Sequence, residues 1–273
     1  MNGIPLGMMA SGHQFATGAT FEPDDLASVI AWWDASDSST ITTQTVSSQE
    51  QVLTWTDKID NVVFTSTGTG TSQGAGMIYN SAQGRINFQV DANSSTLQNT
   101  STRLGLSGNP NIIIAEVFSA NSLGERRHFH IGGYTSDYVL VTTHDFAWRY
   151  NNGNRVFNES PTVDELCIAV WQRSSGSNYS AGTGYFNGTQ FTNKSTGSGT
   201  RIPSNTNAKI AYALTFDDET GGGAADSKVH DVIVAETTSS TDRQKLEGYL
   251  AHKHSITSVL PSDHPYKTTA PTP

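Results

Sequence analysis

The sequence predicts an all-β protein of short strands and tight turns, closed by one C-terminal α-helix and preceded by an extended N-terminal arm. Three observations carry this. Only 15% of the 273 residues are charged and 35% are hydrophobic, with Gly, Ser, Thr and Asn filling much of the remainder. A helical bundle needs many more Ala, Leu, Glu and Lys positions, and a disordered chain more charge. Short apolar runs recur from about residue 28 to residue 235, too brief and too closely spaced for helices. Two Asn-Gly pairs, Asn152-Gly153 and Asn187-Gly188, stand between such runs, and both residue types tolerate the positive φ that a two-residue hairpin turn requires.

Residues 1 to 20 contain no Asp, Glu, Lys or Arg. They cannot build a core of their own, so they are either a floppy terminus or an arm whose Ile4, Leu6, Met8, Met9 and Phe15 dock on a partner. Residues 21 to 273 read as one domain, because no linker interrupts them. A helical turn begins at Glu22-Pro23-Asp24-Asp25, and Val29 to Trp33 is a buried strand. Gln51 to Trp55, Asn61 to Phe64, Met77 to Tyr79 and Arg85 to Val90 follow as strands. Asn111 to Phe118 is almost wholly apolar, which predicts cover on both faces. Further strands are expected at 128–131, 138–141, 146–150, 155–157, 165–171, 184–191, 208–216 and 228–235. Thr241-Asp242-Arg243-Gln244 has the form of a capping box, and Leu246, Tyr249, Leu250 and His254 follow at helical spacing.

The formal charge of −9 argues against nucleic acid as a partner, since phosphate binding rests on clustered Lys and Arg. The single cysteine, Cys167, sits in an apolar run and reads as a buried, inert thiol. No stretch of apolar residues is long enough to span a membrane, and the first ten residues lack the basic start of a signal peptide.

Phe21 to Leu26, Ala31-Trp32-Trp33-Asp34-Ala35-Ser36-Asp37 and Trp55-Thr56-Asp57-Lys58 resemble the opening of the LamG-like, concanavalin A-like modules of tailed-bacteriophage tail and head proteins. Asp231 to Glu236, Asp242 to Ala251, Leu260-Pro261 and His264-Pro265-Tyr266 resemble the end of that family, and Tyr185 to Thr189 resembles its hairpin. The chain departs from the family at His252 and His254, where Trp is usual, and at Ile59-Asp60-Asn61, where a Ser-Gly-Asn turn is usual. The resemblance implies a two-sheet antiparallel jelly-roll sandwich. It further implies a virion protein, assembled in the host cytoplasm and exposed on the particle surface, that joins other capsid or tail proteins through its arm and forms a homo-oligomer.

Concanavalin A-like folds include glycosidases, and a retaining glycosidase needs two carboxylates about 5–5.5 Å apart. No strand here carries acids at alternate positions; Asp34 with Asp37, Asp217 with Asp218, and Glu116 come nearest. The expectation is therefore a non-enzymatic protein that needs no cofactor. For glycan binding, the stacking and hydrogen-bonding stock is Tyr134, Asp137, Trp148, Tyr150, Asn152 and Tyr179, whereas Trp32, Trp33, Trp55 and Trp171 belong to the core. Asp217, Asp218 and Asp226 around a Gly-rich loop are either a solvated turn or hard oxygen ligands suited to Ca2+. A secreted carbohydrate-binding module is the alternative reading, and a glycoside hydrolase a weaker one.

Overall fold

The computed structural model describes residues 20–66, 70, 74, 76–89, 97–99, 104, 111–121, 161–174, 182–191 and 227–273. It also describes the backbone of the strands at 127–133, 137–142, 147–150, 153–157, 193–196 and 208–210. The strands run β1 (Val29–Asp34), β2 (Ile41–Val46), β3 (Gln49–Thr56), β4 (Val63–Ser66), β5 (Met77–Asn80), β6 (Arg85–Phe88), β7 (Leu97–Gln98), β8 (Ile112–Ala120) and β9 (Arg127–Gly133). They continue as β10 (Asp137–Thr142), β11 (Ala147–Tyr150), β12 (Gly153–Phe157), β13 (Cys167–Arg173), β14 (Thr183–Phe186), β15 (Thr189–Gln190), β16 (Asn193–Thr196), β17 (Ala208–Ile210) and β18 (Ser227–Ala235). One α-helix, α1 (Ser240–Lys253), follows.

The ladders between these strands are antiparallel and form a β-sandwich. One sheet has the order β1-β18-β8-β13-β14-β15. The other runs β2-β3-β4-β7-β17-β9-β10-β11-β12-β16. β5 and β6 join the two, since β6 pairs with the start of β18 and β5 touches β3.

Side-chain alternation explains why β8 is apolar at all positions but Glu116 and Ser119. Its Ile112, Ile114 and Phe118 point between the sheets, where they meet Trp33, Trp55, Phe64, Phe88 and Trp171. Ile113, Ala115 and Val117 point the other way, onto Trp32, Ile233, Leu246 and Leu250. Both faces are covered as the sequence predicts, and the outer cover is α1 together with the tail residue Leu260. Each fully buried side chain of this size contributes roughly 1.5–3 kcal/mol. All four predicted core tryptophans are buried. Cys167 is buried too; its Sγ donates to the carbonyl of Phe118, and burial pushes its pKa well above the ordinary value.

Three local expectations are corrected. The helix starts earlier than the capping box suggests: Ser239 is the N-cap and its Oγ accepts from Asp242 N at 3.2 Å, so Thr241 is already helical. Asn152-Gly153 is displaced by one residue, because Tyr150 pairs directly with Gly153 and Gly153 is therefore a strand residue. The sequence reading missed β2, an edge strand of Thr and Gln joined to β3 by Ser47 and Ser48, both at positive φ. Polar strands without apolar alternation leave no periodic signal. Asn187-Gly188 does form its turn, with φ of 51° and 79°. Gly188 is doubly required there, since a Cβ would lie 2.9 Å from Pro261.

Because α1 closes the outer face of the first sheet, Leu250→Ala is expected to cost about 2–5 kcal/mol. Ser239→Ala, which removes one hydrogen bond at a wet helix end, is expected to cost about 1 kcal/mol. Denaturant midpoints at unchanged slope measure the order of the two losses. Equal, mild losses would mean that the helix is peripheral.

Candidate functional site

The motif residues of the two chain ends meet on the outer face of the first sheet. Asp34 and Asp231 are direct cross-strand partners on β1 and β18, and both are buried. Two adjacent buried carboxylates repel unless a cation is shared. Lys253, in the last turn of α1, supplies it: Nζ lies 2.7 Å from Asp34 Oδ1 and 2.7 Å from Asp231 Oδ1. Asp231 also accepts from Trp32 Nε1 at 2.9 Å and from His254 Nε2 at 2.5 Å. Asp34 accepts in addition from Ser36 N and Ser36 Oγ. Burial pushes the Asp231 carboxyl up, but His254 and Lys253 outweigh it and hold the pKa below the usual value. Burial likewise works against the Lys253 ammonium, and Asp231 and Asp34 outweigh it, raising its pKa. Both groups are therefore charged across the neutral range, as a structural ion pair requires and a general acid does not.

The other motif acids are spent in the same way. Asp57 is buried and accepts from the backbone N–H groups of Ile59, Asp60, Val62 and Trp32, so it ties the β3–β4 loop to β1. Asn61 supplies the left-handed residue of that loop, which lets Ile59-Asp60-Asn61 serve as its turn. Glu247, fully buried, pairs with Arg243 Nη1 at 2.6 Å and His264 Nε2 at 3.2 Å. Arg243 lies 3.7 Å over the Tyr185 ring, and Gly248 leaves space for Tyr266, whose Cβ would sit 2.4 Å from an added methyl. His252 and His254, which stand where the family tends to carry Trp, bind the Tyr266 carbonyl and Asp231.

Beside the Asp34–Lys253 pair lies a cavity of about 410 Å3, lined by Phe21, Glu22, Asp34, Lys58, Tyr249 and Lys253. Thr20, Ser36, His252 and, from the tail, Ala270 and Pro271 complete its lining. Lys58 lies 3.5 Å from Asp34, 3.6 Å from Asp37 and 3.9 Å over the Trp32 ring. The Tyr249 hydroxyl donates to Glu22 Oε2 at 3.0 Å; burial, then the charges of Asp231 and Glu22, hold it well above its usual pKa. A smaller hollow of about 240 Å3 borders Phe186, Asn187 and Phe191.

None of the sequence-predicted site residues is among those that line the cavity. Tyr134, Asn152, Tyr179, Asp217, Asp218, Asp226 and the arm residues Ile4, Leu6, Met8, Met9 and Phe15 lie outside the described residues. Asp137 begins β10, and Trp148 and Tyr150 share β11 two residues apart, but only their backbone is described. Glu116 is buried on β8 opposite Ala169 and Val232, remote in sequence from Asp34 and Asp37. Among the described residues no three His, Cys, Asp or Glu side chains are grouped to hold a metal, and no helix is long and apolar enough to cross a membrane. The sequence reading missed the cavity, since its walls come from both ends of the chain and meet only once β1 and β18 pair.

No family model matches the chain, and no curated protein matches it. Solved structures do. Trypanosoma rangeli sialidase gives a TM-score of 0.51 at 11% identity, covering 84% of this chain and 33% of the sialidase. The same enzyme in complex with sialic acid gives 0.50 at 10% identity, with the same two coverages. What they share is the fold. The chain spans about one third of the sialidase length. Domain 4 of AbnA, a GH43 extracellular arabinanase from Geobacillus stearothermophilus in complex with arabinotriose, gives 0.47 at 11% identity over 76% of this chain and 92% of that domain.

One neighbour of the ion pair has a pH consequence. His230 is buried against His254 at 5.1 Å between ring centroids. Burial, then the His254 charge and that of Arg85, against the pull of Asp231 and the Gly84 backbone, lower its pKa to about 4. An unfolded histidine titrates near 6.5. Between these values the unfolded chain takes up a proton that the folded chain refuses, so stability falls as pH falls through that window, by roughly 3 kcal/mol at most. The stability difference between about pH 7 and about pH 4.5, measured by urea unfolding, is expected to shrink in His230→Gln. Parallel profiles for the two proteins would contradict it.

Proposed function

We propose that this chain is a non-enzymatic structural protein of a tailed-bacteriophage virion, a tail or capsid-surface component whose sandwich binds host-surface glycans. The observation that carries the non-enzymatic part is the fate of the motif acids. Asp34 and Asp231 are neutralised by one lysine, Asp57 is filled by four backbone N–H groups, and Glu247 is held by Arg243 and His264. A general acid must release a proton to its substrate and a nucleophile must reach it; these carboxylates do neither. The resemblance at both chain ends supports the virion setting. The glycan reading draws on the β-sandwich fold, which the sialidase bound to sialic acid also contains.

The arm, residues 1–20, is then the attachment segment, and its apolar side chains dock on other particle proteins. A chain lacking residues 1–20 is expected to fold and to retain polysaccharide binding without releasing reducing ends, yet to be absent from purified particles. Normal incorporation of the truncated chain would remove the arm's assigned role. Release of reducing ends by the intact chain would make it an enzyme.

A further inference from the structure

The cavity beside the Asp34–Lys253 pair has a volume of about 410 Å3, within the span of small-ligand clefts, roughly 300–1,000 Å3. Its chemistry is balanced. Its lining holds two carboxylates, Glu22 and Asp34, two ammonium groups, Lys58 and Lys253, and the imidazole of His252, which is bonded to the Tyr266 carbonyl. Lys253 is saturated by Asp34 and Asp231, whereas the Lys58 side chain is 30% exposed and held by Asp34 and Asp37 only at 3.5 and 3.6 Å. A ligand of either net charge would meet a like charge on the opposite wall, with the desolvation cost that entails. A neutral molecule with several hydroxyl groups meets no such conflict. Its hydroxyls can donate to Glu22 and accept from Lys58, each a charge-assisted hydrogen bond. Phe21, Tyr249 and Pro271 of the lining are buried, so its exposed residues are the polar Thr20, Glu22, Ser36 and Lys58.

We propose that this cavity is a binding site for an uncharged sugar residue, with Glu22 and Lys58, the exposed charged groups of its lining, as its hydrogen-bonding pair. The proposal rests on the glycan-binding reading and places the site at the seam between the two chain ends, apart in sequence from Tyr134, Asp137, Trp148, Tyr150, Asn152 and Tyr179. Thr20 lines the cavity and is exposed.

Saturation-transfer difference NMR on the intact chain tests it, with the methyl glycosides of glucose, galactose and mannose and with N-acetylglucosamine as neutral probes, and N-acetylneuraminic acid as the anionic one. At least one neutral probe is expected to bind. Thr20→Trp, which puts a bulky ring at an exposed position of the lining, is expected to weaken that binding by on the order of tenfold at an unchanged unfolding midpoint. Glu22→Gln keeps the shape and removes one negative charge, so it is expected to weaken neutral probes and strengthen N-acetylneuraminic acid. Neutral binding that survives both substitutions overturns the cavity and leaves the glycan reading standing. So does binding of N-acetylneuraminic acid alone by the unsubstituted chain. No binding of any probe overturns the cavity and removes the support for glycan recognition with it.

Discussion

A carboxylate with no solvent exposure must have its lone pairs met by the protein, and Asp231 meets this condition with three donors from two distant parts of the chain. Trp32 comes from the first strand; Lys253 and His254 come from the last turn of the helix. Asp34 shares the lysine, so the cross-strand pairing of β1 with β18 and the docking of α1 are fixed by one set of charges. Removing one partner of such a buried set typically costs about 3–5 kcal/mol, because the remaining charge is left uncompensated. The apolar contacts of Leu246 and Leu250 supply attraction but no register; the ion set supplies the register.

The same economy governs the rest of the closing segment. Arg243 and Glu247 lie on the buried face of α1 four residues apart, and His264 of the tail reaches Glu247. Gly248 then admits Tyr266, and Gly188 admits Pro261 and His264. Helix, tail and the β14–β15 turn are thus interlocked by polar groups that a purely apolar helix face would not specify. This is why Asp34, Asp57, Asp231 and Glu247 have few lone pairs left unmet.

The strands were legible where they are apolar. β8 and β18 announce themselves by the apolar runs Ile112 to Ala115 and Val232 to Ala235, and the Asn187-Gly188 turn by the two residue types it needs. β2 was not legible, because an edge strand of Thr and Gln has no buried alternation to display. The helix was legible in position but not in its cap, since Ser239, Ser240 and Thr241 all suit an N-cap and only the packing against Thr237 and Asp242 selects Ser239. The cavity was hidden for a stronger reason. Its residues lie near positions 20, 34, 58 and 250, and no local pattern states that these are neighbours. Cross-strand pairing of two acids is likewise invisible until the register of β1 on β18 is known.

Native-state hydrogen exchange compares the α1 amides of Leu246 to Ala251 with those of β8 and β18. If the Asp34–Lys253–Asp231 set makes the helix integral to the sandwich, both groups of amides open with the same free energy, that of global unfolding. Helix amides that exchange through a separate opening, at distinctly lower free energy while the β8 and β18 amides stay protected, would contradict the account.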